Sequence, residues 1–562
     1  MQNAAPHRLL RFPEILSAIC AYSSQATQAQ LVRTCKSLAE PALNALWAEG
    51  SIFKLLCRAL PVGSLIISHT GRHLEVKLSP TYRLNDIHLA RVAFYGVRMR
   101  YVSVRASELH PIVHLSEELL YVWRSHTQRR PYTPLPFCPH AIELCWDVQD
   151  LFSMRREIPF IVPSNVSKLT IRTFIPTHLH TLFANTLPEM PMTTLTSLAM
   201  VLNPGASSPV VDRALLLLIR RNPSLESVQL GYVSSACIWV LAELPALRKL
   251  TVGFAHDPWE VTTALKLFPA LRELTVTYSP LPAVILLLRM LGGTRAITML
   301  NIDCYSNSAA LGEQILDLFD AIARHCAAAT PSYLHVTDRT TITPDGANPP
   351  YAVTYQHLLS LQKFSRLEYL HILWQGYTNL DDVQVEKLAK LWPALRLLAI
   401  VPCLAYAPNW PGEVLRPHEL LDVEFHTTPK CLQALASLCP HLRHLTIPFH
   451  PFPLPSPSKL GVGGRVMQQE LECLVAVGGR AAWPLVSTIS LAMFLSDIFP
   501  ALRAFGSRMP TEYNSLLAYN VANFAAARRQ ERAYYANTVN MFTAMAEGYV
   551  LAIDDKITDS VL

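Results

Sequence analysis

Apolar and polar positions alternate in one short phrase that recurs along most of the chain. PALRKLTV, Pro245 to Val252, returns as PALRELTV (Pro269 to Val276), PALRLLAI (Pro393 to Ile400) and PHLRHLTI (Pro440 to Ile447). In the first copy Leu247, Leu250 and Val252 follow the spacing LxxLxL, whose last two members alternate as in a half-buried strand. Apolar residues at helical spacing precede the phrase, as in SSACIWVLAELPAL and WEVTTALKLFPAL. Pro245 or Pro269 then ends the helix, because proline disfavours helical geometry in the residue before it. The predicted unit is helix, proline turn, short strand.

The same frame can be read in PHAIELCW (Pro139), SNVSKLTI (Ser164), TTLTSLAM (Thr193), PSLESVQL (Pro223), RAITMLNI (Arg295), SRLEYLHI (Ser365), ELLDVEF (Glu419) and PLVSTISL (Pro484). A degenerate copy, ATPSYLHV from Ala329, fits the wide gap between Arg295 and Ser365. Successive starts such as Pro245 and Pro269 are 24 residues apart, a spacing typical of leucine-rich repeats, which run ~20–29 residues. From Pro139 to Phe505 the chain resembles that family, with strands on a concave face and helices outside. The family's usual Asn after the strand is mostly absent, so the expected fold is an irregular α/β solenoid with parallel strands. An ordinary α/β domain is the other architecture the pattern allows. Repetition serves stability, since one unit cannot bury its apolar face alone. Recognition of a partner would fall to solvent-facing positions that vary between copies: Arg248 and Lys249, Arg272 and Glu273, Glu368 and Tyr369, Arg443 and His444.

Ahead of the repeats stands a helical segment, residues 8–60. Pro13 suits a first helical turn, and Ile15, Leu16 and Ile19 share one face. A second helix carries Leu31, Cys35 and Leu38 and breaks before Pro41; a third carries Leu43, Leu46 and Trp47. This segment resembles an F-box, whose pattern opens Leu-Pro-x-Glu-Ile-Leu, continues through a Leu…Cys-Lys/Arg helix and closes on Leu-Trp. The matching residues are Phe12, Pro13, Glu14, Ile15, Leu16, Ile19, Leu31, Val32, Cys35, Lys36, Leu46 and Trp47, with Phe12 where Leu is usual and Leu38 where Trp is frequent. LVRTCKSLAEPALNALW is similar to F-box proteins of mushroom-forming fungi, in which an irregular segment and degenerate leucine-rich repeats follow. The resemblance implies docking on a Skp-type adaptor of a cullin–RING ubiquitin ligase through Phe12, Pro13, Ile15, Leu16, Ile19, Leu31, Val32, Cys35 and Leu38. It also implies an unidentified protein substrate held by the repeats. The other reading is a scaffold whose N-terminal helices cap the array. Expected boundaries are 61–138 for an irregular connecting segment, 139–505 for the repeats and 506–562 for a helical C-terminal cap.

Composition narrows the class. Apolar residues make up 51% of the chain and charged ones 16%, which points to extensive burial rather than disorder. The formal charge of +6 is thin over 562 residues and forms no basic run, so nucleic acid is not an expected partner. The longest apolar block, PAVILLLRMLGG, is interrupted by Arg289 and is shorter than the ~20 residues a membrane-spanning helix needs. Arg8, Arg11 and Glu14 occupy the region where a signal peptide would be apolar, so a cytoplasmic or nuclear location is expected. Twelve cysteines without a CxxC pair indicate neither zinc ribbon nor disulfide framework. No GxSxG, GxxxxGK[ST] or HExxH occurs, and GVGGR at Gly461 lacks a preceding strand. The expectation is a non-catalytic protein with no cofactor and no metal.

Overall fold

A computed structural model describes residues 12–103, 112–128, 136–148, 165–173, 192–201, 209–254, 267–339, 351–402, 426–450, 468–477 and 485–507, with short internal breaks and a few isolated further positions. It divides into two compact units, Met1–Trp259 with Lys266–Leu271, and Glu260–Leu265 with Arg272–Leu562.

The first unit opens with helices α1 (Pro13–Tyr22), α2 (Gln25–Thr34) and α3 (Lys36–Trp47). Strand β1 (Glu49–Ser51) and helix α4 (Ile52–Ala59) follow, then strands β2 (Leu65–Thr70) and β3 (His73–Leu78). Next come α5 (Asp86–Gly96), β4 (Tyr101–Ser103), β5 (Ile112–Leu115) and α6 (Glu117–Gln128). Strands β6 (Glu143–Val148), β7 (Lys168–Thr173) and β8 (Ser197–Val201) lead to α7 (Pro209–Arg221), β9 (Ser227–Leu230), α8 (Ser235–Ala242) and β10 (Lys249–Val252). A parallel ladder runs β1-β4-β6-β7-β8-β9-β10, beside a small sheet β2-β3-β5.

The second unit alternates strands and helices more regularly. It contains β11 (Glu273–Pro280), α9 (Leu281–Met290), β12 (Met299–Tyr305), α10 (Leu311–His325) and β13 (Tyr333–Asp338). Then come β14 (Tyr351–Thr354), α11 (Tyr355–Leu359), β15 (Tyr369–Trp374), β16 (Gly376–Asn379), α12 (Asp382–Leu391) and β17 (Leu397–Pro402). It closes with α13 (Pro429–Leu438), β18 (His444–Pro448), β19 (Cys473–Val477), α14 (Leu485–Ile498) and β20 (Ala504–Ser507). Its ladder, also parallel, runs β11-β12-β13-β15-β17-β18-β19-β20, with β14 and β16 paired separately.

The recurring octapeptide has a physical origin in a turn and a clasp. In Phe268–Leu271, Trp392–Leu395 and Cys439–Leu442 the last N–H donates to the first carbonyl at 3.2–3.4 Å, with proline second, the position whose fixed φ suits a β-turn. The residue after that leucine then accepts two successive N–H groups from the next repeat. Glu368 takes them from Arg396 (2.7 Å) and Leu397 (3.0 Å), and Arg396 from Arg443 (2.7 Å) and His444 (3.0 Å). The carbonyls of Ala48, Arg100, Ile142, Ser167, Thr196 and Glu226 do the same in the first unit. This clasp sets the register, and the register stacks the leucines. Val102, Leu144, Leu169, Leu198, Val228 and Leu250 form one paired column, and Leu274, Leu300, Leu334, Leu370, Leu398, Leu445 and Leu474 another, none more than 4% exposed. Each fully buried leucine contributes about 1.5–3 kcal/mol of transfer free energy.

Buried or half-buried polar side chains tie neighbouring segments of the fold together. Asn222 accepts from Leu195 N–H (3.1 Å) and donates to Leu218 O (2.8 Å). Gln468 donates to Leu442 O (2.6 Å) and accepts from Leu471 N–H (2.6 Å). Asp382 accepts both the N–H and the hydroxyl of Thr428 at 2.6 Å each, joining α12 to the start of α13.

Several expectations are corrected. PLVSTISL is the start of α14, not a strand; beyond it Leu491, Phe494, Leu495 and Ile498 are buried at helical spacing, and the true turn follows at Phe499–Leu502. β19 and β20 are further strands of the ladder, outside the octapeptide copies above. The second N-terminal helix ends at Thr34, Leu38 belongs to α3, and Pro41 lies inside that helix. Proline removes one helical hydrogen bond there, and burial of Ala42 and Trp47 holds the helix through it. Between residues 61 and 138 the described residues include strands β2 to β5 and helices α5 and α6, and the ladder begins at β1, whose sequence EGS is too short and polar to show alternation. The ELLDVEF copy, and residues 508–562 apart from a few isolated positions, lie outside the described residues.

Gly96, at the end of α5, faces the Phe137 backbone so closely that a Cβ would overlap the Phe137 carbonyl oxygen. Gly96→Ala is expected to destabilise the first unit by about 1–3 kcal/mol, read as a lower thermal midpoint. Gly50→Ala, whose Cβ would meet only the side chains of Met99 and Lys54, should leave the midpoint within a degree or so of the parent.

Candidate functional site

Two surfaces carry the residues singled out in the sequence. The first is the N-terminal helical bundle. Phe12 caps α1 without a side-chain bond, Pro13 occupies its first turn and Glu14 follows. Leu16 and Cys20 point inward and are 5% and 0% exposed, whereas Phe12 and Ile19 are 53% and 44% exposed. Ile15, Leu31, Val32 and Leu38 are half-buried, and Pro13 is exposed. The set therefore divides: Leu16 belongs to the bundle's own core, and Phe12 and Ile19 lie on its surface. Cys35 lies outside the described residues. Gln28 pins the corner between α1 and α2 by donating to Cys20 O (2.8 Å) and Ser23 O (3.0 Å).

The bundle is built into the first unit. Trp47 stacks on Tyr95 of α5 at 4.4 Å. Arg98 pairs with Glu40 at 2.6 Å while its guanidinium lies 3.8 Å from the Phe94 ring centroid. The Ala48 carbonyl, one residue past α3, makes the first clasp, to Arg100 and Tyr101.

The second surface is the outward side of the strands, the positions that alternate with the buried columns. Arg248 and Lys249 are exposed at the start of β10, in the first unit. In the second unit Arg272, Glu368 and Arg443 are clasp residues, and Glu273, Tyr369 and His444 are the first outward positions of β11, β15 and β18. Glu368 is bridged to Arg396 (3.2 Å), and Arg443 together with His441 meets Glu470 (3.3 and 3.1 Å). Tyr369 is the one predicted residue that joins a larger cluster. It lies opposite Tyr333, ring centroids 5.8 Å apart, and two residues along His335 lies opposite His371 at 4.4 Å. Asp303 pairs with Arg339 at 2.9 Å, and Tyr305 packs on Tyr278 at 4.8 Å. Sequence reading missed these neighbours, although the repeated pairs YLHV and YLHI carried the signal: equal positions in adjacent copies become cross-strand partners.

Electrostatics keep this cluster nearly uncharged. Burial, and then the Arg339 charge, pushes the His335 imidazole below its ordinary range. Its Nε2 lies 2.6 Å from the Thr337 hydroxyl and its Nδ1 3.4 Å from the Tyr333 hydroxyl. Burial raises the Asp303 carboxyl, opposed by the Arg339 charge. The described cysteines are free thiols; Cys138 is pushed up to about 12 and Cys237 to about 11 by burial, values that suit core packing rather than nucleophilic chemistry. Among the described residues no group of three His, Cys, Asp or Glu is placed to hold a metal ion, and no helix is long and apolar enough to cross a membrane. No protein-family model and no curated protein matches the chain.

Burial lowers the affinity of His325, His335 and His357 for protons. The unfolded chain binds those protons first, so stability is full above about pH 6.5 and falls as pH drops through that value towards the lower folded-state values. The thermal transition is expected at a lower temperature at pH 5.5 than at pH 7.5. His335→Gln should shrink that difference; an unchanged difference would show that His335 contributes nothing to it.

Proposed function

We propose that this protein is a non-catalytic substrate-recruiting subunit of a Skp–cullin–F-box ubiquitin ligase, working inside the cell, with the N-terminal bundle docking on the adaptor and the strand face holding a protein substrate. One observation carries the reading most. The F-box-like motif order stands on three short helices that leave Phe12 and Ile19 outward, and so small a bundle gains from burying apolar side chains against a partner. Parallel repeats with variable outward positions are suited to holding a second protein.

A second reading is favoured by a different observation. The bundle feeds directly into β1, the Ala48 clasp and the Trp47–Tyr95 stack, as a terminal cap of the array would.

The two readings differ in a binding experiment with the intact chain. Purified Skp-type adaptor should be retained by the parent protein and lost, by at least about tenfold in affinity, on changing Phe12→Glu together with Ile19→Glu, both surface positions whose substitution spares the core. Equal binding by the double variant would reject the docking face. A folded parent that binds no adaptor would leave the cap reading.

A further inference from the structure

The face formed by β11, β12, β13 and β15 has an unusual surface chemistry. Its outward positions on the three central strands are Met299, Asn301, Asp303 and Tyr305; Tyr333, His335 and Thr337; and Tyr369, His371 and Leu373. The side chains of these residues other than Thr337 are half-exposed, and Tyr278 beside them is 44% exposed. Aromatic rings pair across strands at both ends, Tyr333 with Tyr369 and Tyr278 with Tyr305, and the imidazoles pair between them.

Three properties select the kind of ligand. The charges among the outward positions of the four strands and the adjoining Arg339 are Glu273, at the level of Met299, and Asp303 with Arg339, which neutralise one another at 2.9 Å, so a nucleic acid strand or an acidic peptide finds no unmatched cation. Strands β12, β13 and β15 are hydrogen-bonded on both sides, so an added β-strand has no edge to pair with and recognition must come from side chains. The ring-bearing positions span the seven residues of β12, from the level of Tyr333 to Tyr305, six steps or roughly 20 Å at ~3.3 Å per residue. That length matches six to seven residues of polyproline II at ~3.1 Å per residue, a backbone without internal hydrogen bonds that stacks on aromatic-lined surfaces.

We infer that the ring-lined face of β11, β12, β13 and β15 docks an uncharged, proline-rich segment of a partner protein in the polyproline II conformation. The inference takes from the proposed function only the idea that this face holds a partner; adaptor binding does not enter it. The test is a fluorescence-polarisation titration of the intact chain with labelled decaproline, beside a Gly-Ser peptide of equal length and a ten-residue oligothymidine. Saturable decaproline binding below about 1 mM is expected, with neither control bound. Tyr333→Ala with Tyr369→Ala should weaken it about tenfold or more, and Tyr333→Phe with Tyr369→Phe should largely retain it because the rings remain. No decaproline binding, equal binding of the Gly-Ser peptide, preference for the oligonucleotide, or indifference to the alanine pair would each overturn the proposal. The adaptor experiment on the same parent protein reports the ligase reading separately, so either can fail alone.

Discussion

The carbonyl that precedes most strands of the two ladders is the constraint from which much of this structure follows. Accepting two successive N–H groups from the next repeat, it fixes where the following strand begins and in which register it lies. Because side chains alternate across a strand, a slip of one residue would send every leucine of a column to the solvent side. The proline turn before the clasp delivers the chain to it, and the buried leucine between turn and clasp, such as Leu271, Leu395 or Leu442, anchors both. The clasp uses only backbone, so the residue that makes it can be Arg, Glu, Ser or Thr without disturbing the ladder. That freedom leaves the same positions open to ion pairs such as Glu368–Arg396.

In-register parallel pairing has a second consequence. Equal positions of neighbouring repeats become neighbours in space, so two copies written Tyr-Leu-His yield a tyrosine pair and an imidazole pair rather than scattered side chains. Imidazoles this close tolerate one another when uncharged, and the lowered proton affinity of His335 agrees with that arrangement. The regularity of the ladder thus builds the surface and also limits its charge.

The N-terminal bundle obeys a different rule. Its helices are short, and isolated helices of this length are marginal in water; they persist because Leu16, Cys20, Ala42 and Trp47 are buried and because Trp47 and Glu40 reach across to Tyr95 and Arg98. An apolar motif in such a segment serves two ends at once, internal packing and an outward face, and only geometry separates Leu16 from Ile19.

Strands β6 to β13, β15, β17 and β18 were legible in the octapeptide frame because a proline turn, a buried leucine and period-two alternation are local, and each leaves its own mark in consecutive residues. The sequence by itself determined that parallel β/α repeats would form and roughly where most strands lie. Strands β1 and β4 were not legible, since three residues cannot display alternation and their pairing depends on partners tens of residues away. PLVSTISL misled for a different reason: Ile489 and Leu491 alternate within it as in a strand, while the helical period is carried by Leu491, Phe494, Leu495 and Ile498, most of which lie beyond it. The candidate site followed the same division. Tyr369 could be read as outward-facing from its repeat alone, while its place in a row with Tyr333, His335, His371, Asp303 and Arg339 was decided by tertiary structure, because cross-strand register is set by hydrogen bonds between residues 34 to 36 positions apart.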